Sequence, residues 1–304
     1  MKRHFAIILL ALAAIVLTAC QPDARQPQVD FEFASIETSV PSRGVAVPVT
    51  FVHPVTAGNK KFPLVVLAHG HGGTRNEAGG FTQVAERLAT LGIASIRMDF
   101  PGCGDSVESF ANNNMSNMLQ DIESSRDFAL SRPNIDPNRV GMLGFSMGGR
   151  LAYMAAAKDS SYKVLVTWAA GAANGAGSMF EFVGGQDAYD AMKLQAASEG
   201  FAPFTTPWGQ HEELGLQFFT DLETSRPMDA VGKLTVPLLV LYGDQDQVVL
   251  PAVAEAVIAA ATSSSEVQRH VIEGADHGLG LFTDEPHYTE EAVSTTVSFF
   301  ADRL

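Results

Sequence analysis

Residues 139–158 read RVGMLGFSMGGRLAYMAAAK, and the pattern changes character in the middle of the stretch. Arg139 to Phe145 is a short, mostly apolar run of strand length, whereas Gly148 to Lys158 has the composition of a helix. Ser146 stands at the junction, flanked by Gly144, Gly148 and Gly149. Glycines beside a serine at such a junction allow the backbone to turn sharply without a Cβ clash. The hydroxyl is then exposed, and the following amide lies at the helix N-terminus. The bare G-x-S-x-G spacing is common by chance; the strand before it and the helix after it make it informative.

The same alternation extends in both directions. Upstream, Lys61 to Ala68 (KFPLVVLA) is a continuous Val- and Leu-rich run, as expected of a strand covered on both faces of a parallel sheet. It is followed by a helix over Gly80–Leu91, a strand over Ala94–Asp99 and a helix over Asn117–Ser131. Downstream come strands at Val164–Ala170, Pro237–Gly243 and Glu266–Ile272, with helices at Ala252–Ala261 and Thr289–Asp302. Before all of these, FEFASIETSV and GVAVPVTFV flank Pro41-Ser42-Arg43-Gly44 and predict an antiparallel hairpin. Eight strands alternating with helices imply right-handed crossovers and a mostly parallel, doubly wound sheet. One interval, about residues 174–217, breaks the rhythm. It is Gly-rich and aromatic (Met179, Phe180, Phe182, Tyr189, Met192, Phe201, Phe204, Trp208) and too long for a connection, which predicts a small lid inserted over the sheet edge where ligands bind.

A serine hydroxyl is a weak nucleophile and needs an imidazole base held in the right tautomer by a carboxylate. Asp244 and Asp246 follow the strand PLLVLYG, and Gly274-Ala275-Asp276-His277-Gly278 follows the next strand, giving the chain order Ser, Asp, His. Two further loops stand where strands end: His69-Gly70-His71-Gly72-Gly73 and Asp99-Phe100-Pro101-Gly102-Cys103-Gly104-Asp105-Ser106.

Taken together, these motifs resemble the α/β-hydrolase superfamily over nearly the whole chain beyond its N-terminus. The resemblance implies an eight-stranded α/β-hydrolase fold with Ser146 as nucleophile, His277 as base and, from a G-x-x-D turn, Asp246 rather than Asp244 as the acid. It also implies an oxyanion hole built from the backbone N–H groups of His71 and Met147. The hairpin start, the HGHGG loop, the DFPGCGDS turn and the short lid are most similar to bacterial cinnamoyl or feruloyl esterases and dienelactone-hydrolase-like proteins. Hydrolysis of a small or medium acyl or aryl ester is therefore expected. Acylglycerol lipases and serine peptidases share much of the pattern, and a non-catalytic binding lipoprotein on the same fold is the rival from another class. Cys103 stands where the family commonly has His and is expected to be an inert, partly buried thiol.

At the N-terminus, Lys2 and Arg3 precede an apolar run, Phe5 to Leu17, with the polarity of a secretion signal. The tetrad Leu17-Thr18-Ala19-Cys20 resembles the bacterial lipobox. This implies a signal peptide over 1–19, lipidation of Cys20, a polar tether over 20–30 and a hydrolase domain over 31–304 on the cell envelope. Gln21 rather than Asp after the cysteine favours an outer membrane in a Gram-negative host. The remaining composition narrows the partners. With 20 Lys and Arg against 34 Asp and Glu, the formal charge is −14, which repels a phosphate backbone, so no nucleic-acid partner is expected. Two cysteines, Cys20 and Cys103, make neither a disulfide framework nor a thiolate zinc site, and no H-E-x-x-H spacing occurs. No cofactor or metal is expected, and the partner is a small-molecule ester. His53, His211, His270 and His287 belong to no motif and are expected in surface or packing roles.

Overall fold

The computed structural model describes residues 30–56 and 58–304. The expected signal peptide, Cys20 and nearly all of the tether lie outside the described residues. Among those described, no helix is long and apolar enough to cross a membrane.

Eight strands form one sheet: β1 (Phe33–Ser42), β2 (Val45–Pro54), β3 (Phe62–Ala68), β4 (Ala94–Met98), β5 (Ile135–Phe145), β6 (Tyr162–Trp168), and two late strands, β9 (Leu238–Gly243) and β10 (Val267–Ile272). A separate antiparallel ribbon, β7 (Phe201–Thr205) with β8 (His211–Gly215), lies between β6 and β9 in the chain. The order in the large sheet is β1-β2-β4-β3-β5-β6-β9-β10. β1 and β2 are antiparallel to their neighbours, and the remaining pairs are parallel. The hairpin closes more tightly than PSRG suggests. Ser42 pairs with Val45, and only Arg43 and Gly44 turn, with φ of 52° and 83°. Positive φ at both central residues is the mirror-type turn whose twist matches its flanking strands.

The helices flanking the sheet are α1 (Gly80–Thr90), α2 (Met115–Leu130), α3 (Met147–Lys158), α8 (Pro251–Ala260) and, after the last strand, α9 (Pro286–Ala301). β3 shows why its sequence is apolar throughout. Successive side chains point to opposite faces, so Leu64, Val66 and Ala68 pack with Met118 and Ile122 of α2 and Leu151 of α3. Val65 and Leu67 pack with Phe81, Val84 and Leu88 of α1 and Val293 and Phe300 of α9. All seven residues of the strand are buried. Each such Leu or Val contributes about 1.5–3 kcal/mol by leaving water. The carboxyl ends of the adjacent strands β3, β5, β6, β9 and β10 are thereby fixed side by side. Within this core the Trp168 Nε1–H donates to Thr296 Oγ1 at 2.7 Å.

The interval expected to be a small lid is a structured insertion that runs beyond residue 217. It holds α4 (Gly177–Phe182), α5 (Gln186–Glu199), the β7–β8 ribbon, α6 (Leu216–Thr224) and α7 (Pro227–Val231). Phe182 packs on Phe204 and Trp208, at 5.4 and 5.6 Å between ring centroids. Phe219 and Tyr189 form a second aromatic pair at 5.1 Å.

Candidate active site

Ser146 follows the last residue of β5 and stands at the N-cap position of α3 with φ 51° and ψ −112°, a region that costs a non-glycine residue about 1–3 kcal/mol. The positive φ belongs to the serine itself. The flanking glycines serve close approach instead: a Cβ on Gly148 would run into the carbonyl of Ala68, and one on Gly144 into the carbonyl of Gly148. Backbone bonds hold the strained turn. Ser146 N–H donates to Trp168 O at 2.9 Å, and Ser146 O accepts from the amides of Gly149, Arg150 and Gly171 at 3.1–3.2 Å.

His277 lies in the turn after β10 and Asp246 in the turn after β9. The His277 Nε2–Ser146 Oγ distance is 3.0 Å, and the His277 Nδ1–Asp246 Oδ2 distance is 2.8 Å. Asp246 is fully buried, and its Oδ1 accepts from the amides of Val248 and Val249, both at 2.8 Å. An ionised carboxylate only accepts, so the Nδ1–H of His277 donates to Asp246. Nε2 is then free to accept the Ser146 hydroxyl. Of the two candidate acids, Asp244 does not reach the imidazole; it is exposed and accepts from the Gly274 amide at 2.7 Å. The face of His277 packs on Phe145, 5.2 Å between centroids.

The His69–Gly73 loop leaves β3 beside this group, and an added Cβ on Gly70 would lie 3.4 Å from Ser146 Cβ. His69 is buried, and burial pushes its pKa down to about 4. Its neutral ring can still use both nitrogens: Nδ1–H donates to Gly70 O at 2.7 Å, and Nε2 accepts the Phe100 amide at 3.1 Å. His69 therefore ties this loop to the DFPGCGDS turn. Asp99 organises that turn from within, accepting from the amides of Arg75 and Asp105 at 2.7 and 2.9 Å and from the Arg75 guanidinium. The backbone amides of His71 and Met147 have no protein acceptor among the described residues.

Three residues outside every sequence motif also shape the site. Glu77 is buried, accepts the Gly70 amide at 2.8 Å, and has its pKa raised by burial to about 7 against the bond from Gly70. Glu212, on the ribbon, holds His71 Nε2 at 2.7 Å. Arg150, on α3, donates to Gly175 O and Ser225 Oγ, where the two stems of the insertion meet. The one sequence signal available for these residues was a charge placed inside or beside an apolar segment.

Cys103 is buried, and burial raises its pKa to about 12, which leaves it a thiol rather than a thiolate. Outside the site, His270 meets Glu291 at 2.8 Å, His211 meets Thr205 Oγ1 at 2.9 Å, His53 bonds Pro54 O and His287 stacks on Tyr288. Among the described residues, no group of three or more His, Cys, Asp or Glu is arranged to hold a metal ion.

Known proteins agree with this architecture. A protein from Escherichia coli, the uncharacterized 31.7 kDa protein of the traX-finO intergenic region, is 29% identical over 250 residues, covering 74% of this chain and 85% of its own. The quorum-quenching protein AidA of Acinetobacter baumannii is 34% identical over 106 residues, about a third of each chain. The solved structure of Est1E from Butyrivibrio proteoclasticus with ferulic acid bound superposes with a TM-score of 0.67 at 22% identity, covering 88% of this chain and 98% of that one. The model of the alpha/beta hydrolase family matches residues 65–292, which run from within β3 into α9 and include the insertion and all three of Ser146, Asp246 and His277. With that match over more than half of its length, the chain belongs to the alpha/beta hydrolase family.

Proposed function

We propose that this hydrolase is a serine carboxylic ester hydrolase that works through an acyl-enzyme on small or medium acyl or aryl esters. The observation that carries the reading is the unbroken chain Ser146 Oγ, His277 Nε2, His277 Nδ1, Asp246 Oδ2, with steps of 3.0 and 2.8 Å. In this reading Ser146 attacks the ester carbonyl while His277 takes the hydroxyl proton. The imidazolium, oriented by Asp246, then protonates the leaving alkoxide. Water activated by the same imidazole cleaves the acyl-enzyme. The amides of His71 and Met147 receive the developing oxyanion, each worth about 3–4 kcal/mol of barrier where such donors have been removed singly.

Aromatic residues of the insertion, with Phe110 after the DFPGCGDS turn, support an apolar or aryl group on the substrate. The His71 ring is surrounded by Phe110, Phe182 and Phe218, at 5.5–6.2 Å between centroids. The ferulic acid in the Est1E structure makes hydroxycinnamoyl esters a natural first series. The test is a panel of acetyl, acyl-chain and aryl esters with a proline amide of matched shape. The expected result is aryl-ester turnover lowered about 10⁴-fold or more by Ser146→Ala with the fold intact. Turnover of the amide alone would replace this reading with a peptidase, and turnover of nothing would favour a binding protein.

We also propose that the protein is tethered to the cell envelope through acylated Cys20, a reading that rests on the tetrad 17–20. Two or more buried acyl chains, at about 0.8 kcal/mol per CH₂, hold a soluble body on a membrane. Detergent phase partition of the full chain and of Cys20→Ser tests it: the variant should move to the aqueous phase and stay active.

A further inference from the structure

The His69–Gly73 loop is gripped from two sides. From the body, Glu77 accepts the Gly70 amide at 2.8 Å. From the insertion, the β7–β8 ribbon reaches down. Glu212 Oε2 lies 2.7 Å from His71 Nε2, and Gln210 Nε2–H donates to Gly72 O at 3.1 Å. The fit is close enough that an added Cβ on Gly72 would lie 2.7–2.8 Å from Glu212 Oε1 and the Gln210 amide, and Gly72 has φ 65°. Both members of the His71–Glu212 pair are enclosed, with side-chain exposures of 9% and 0%. Among the described residues, His71 Nδ1 and Glu212 Oε1 are buried without a partner. Breaking a buried pair of this kind is costly, yet apolar residues of equal volume would often be as stable. Stability alone therefore does not account for it. What the pair supplies is direction: the Nε2–H of His71 donates to a carboxylate in either protonation state, fixing His71 relative to the ribbon.

We infer that Glu212, assisted by Gln210, is a positioning residue for the loop carrying the His71 amide, so that docking of the insertion's ribbon and assembly of the oxyanion hole are one event. The kinetic part of this inference rests on the esterase reading above; the structural part does not. Glu212 touches no reacting atom. It acts through His71, whose amide is one of the two donors meeting the oxyanion, and a loop free to shift costs transition-state stabilisation rather than substrate binding.

The test compares Glu212→Ala, Glu212→Gln and Gln210→Ala in the otherwise intact protein by two readouts. The first is amide hydrogen exchange of the peptide spanning residues 69–73, which needs no substrate. The second is aryl-ester kinetics with inhibition by an aryl boronic acid, whose tetrahedral adduct places an oxygen where the oxyanion forms. Glu212→Ala should speed exchange at 70–73, lower kcat by about 10- to 100-fold and weaken the boronate by a similar factor, with KM within about threefold. Glu212→Gln still offers an oxygen to the His71 Nε2–H and should recover most of the loss. Gln210→Ala, which removes the ribbon's other bond to the loop, carries the test if the alanine variant at 212 does not fold. His211→Ala, on the exposed neighbour in the same strand, should change neither readout. Unchanged exchange at 70–73 in Glu212→Ala and Gln210→Ala would overturn the inference, as would a rise in KM with kcat and boronate affinity unchanged. If the parent hydrolyses no ester, the esterase reading fails while the exchange result still decides whether ribbon and loop are coupled.

Discussion

Replacing Asp246 by asparagine changes one proton acceptor and almost nothing else, and the surrounding bonds dictate the outcome. Oδ1 faces two amide donors, those of Val248 and Val249, at 2.8 Å each. Only the oxygen of an asparagine can sit there. Its NH₂ group must then face His277 Nδ1, which has to accept rather than donate. The ring proton moves to Nε2, and the Ser146 hydroxyl, 3.0 Å away, meets a donor where it needs an acceptor. Loss of the base in this way costs about 10⁴ in kcat, or ~5 kcal/mol of barrier. Folding should suffer less. Two of the three accepted bonds survive, and one lost bond to a charged group is worth about 1–3 kcal/mol. The assay pairs initial rates on an aryl ester with thermal unfolding of Asp246→Asn and Asp244→Asn. Asp244→Asn should stay within about tenfold of the parent, because its contact with the Gly274 amide needs only an oxygen. An Asp246→Asn rate near the parent's, or a larger loss in Asp244→Asn, refutes the reasoning.

Two other variants and one labelling experiment probe the scaffold. Gly148→Ala forces a methyl against the Ala68 carbonyl and should cost at least about 3 kcal/mol, seen as loss of soluble protein or a large drop in urea midpoint. Glu77→Gln should alter the pH dependence of stability. The folded pKa of about 7 lies above the ordinary 4.5, so the parent's stability from this group is complete below pH 4.5 and declines as pH rises through 7, by about 3 kcal/mol. Urea unfolding at pH 5 and 8 should show the glutamine variant gaining on the parent at the higher pH; a constant difference contradicts the assignment. Cys103, with a pKa near 12, should resist iodoacetamide at pH 8 in the folded protein and react once unfolded, as read by mass mapping.

Much of this arrangement is legible in the chain because the decisive signals are local. The serine turn needs small neighbours where Gly148 meets Ala68, and β3 needs an unbroken apolar run because it is covered on both faces. Helix ends are less visible. α2 starts at Met115 rather than Asn117 because the Asn114 side chain accepts the Asn117 amide, a cap that hydrophobic pattern does not reveal. α9 begins at Pro286, where a missing N–H costs nothing. The β7–β8 ribbon is hidden for a different reason: its strands are five residues each and carry Pro203 and two adjacent glutamates, Glu212 and Glu213. Alternation over so short a span competes poorly with composition. The roles of Glu77, Glu212 and Arg150 depend on partners 7, 141 and 75 positions away, set by the fold and by no spacing in the sequence.

The central claim is that Ser146 is a nucleophile activated by His277, and covalent capture tests it most directly. A fluorophosphonate added to the folded protein, followed by peptide mass mapping, should place one adduct on Ser146. His277→Ala should slow labelling by several orders of magnitude. An unmodified Ser146 peptide in folded protein, or labelling that is indifferent to His277, contradicts the account.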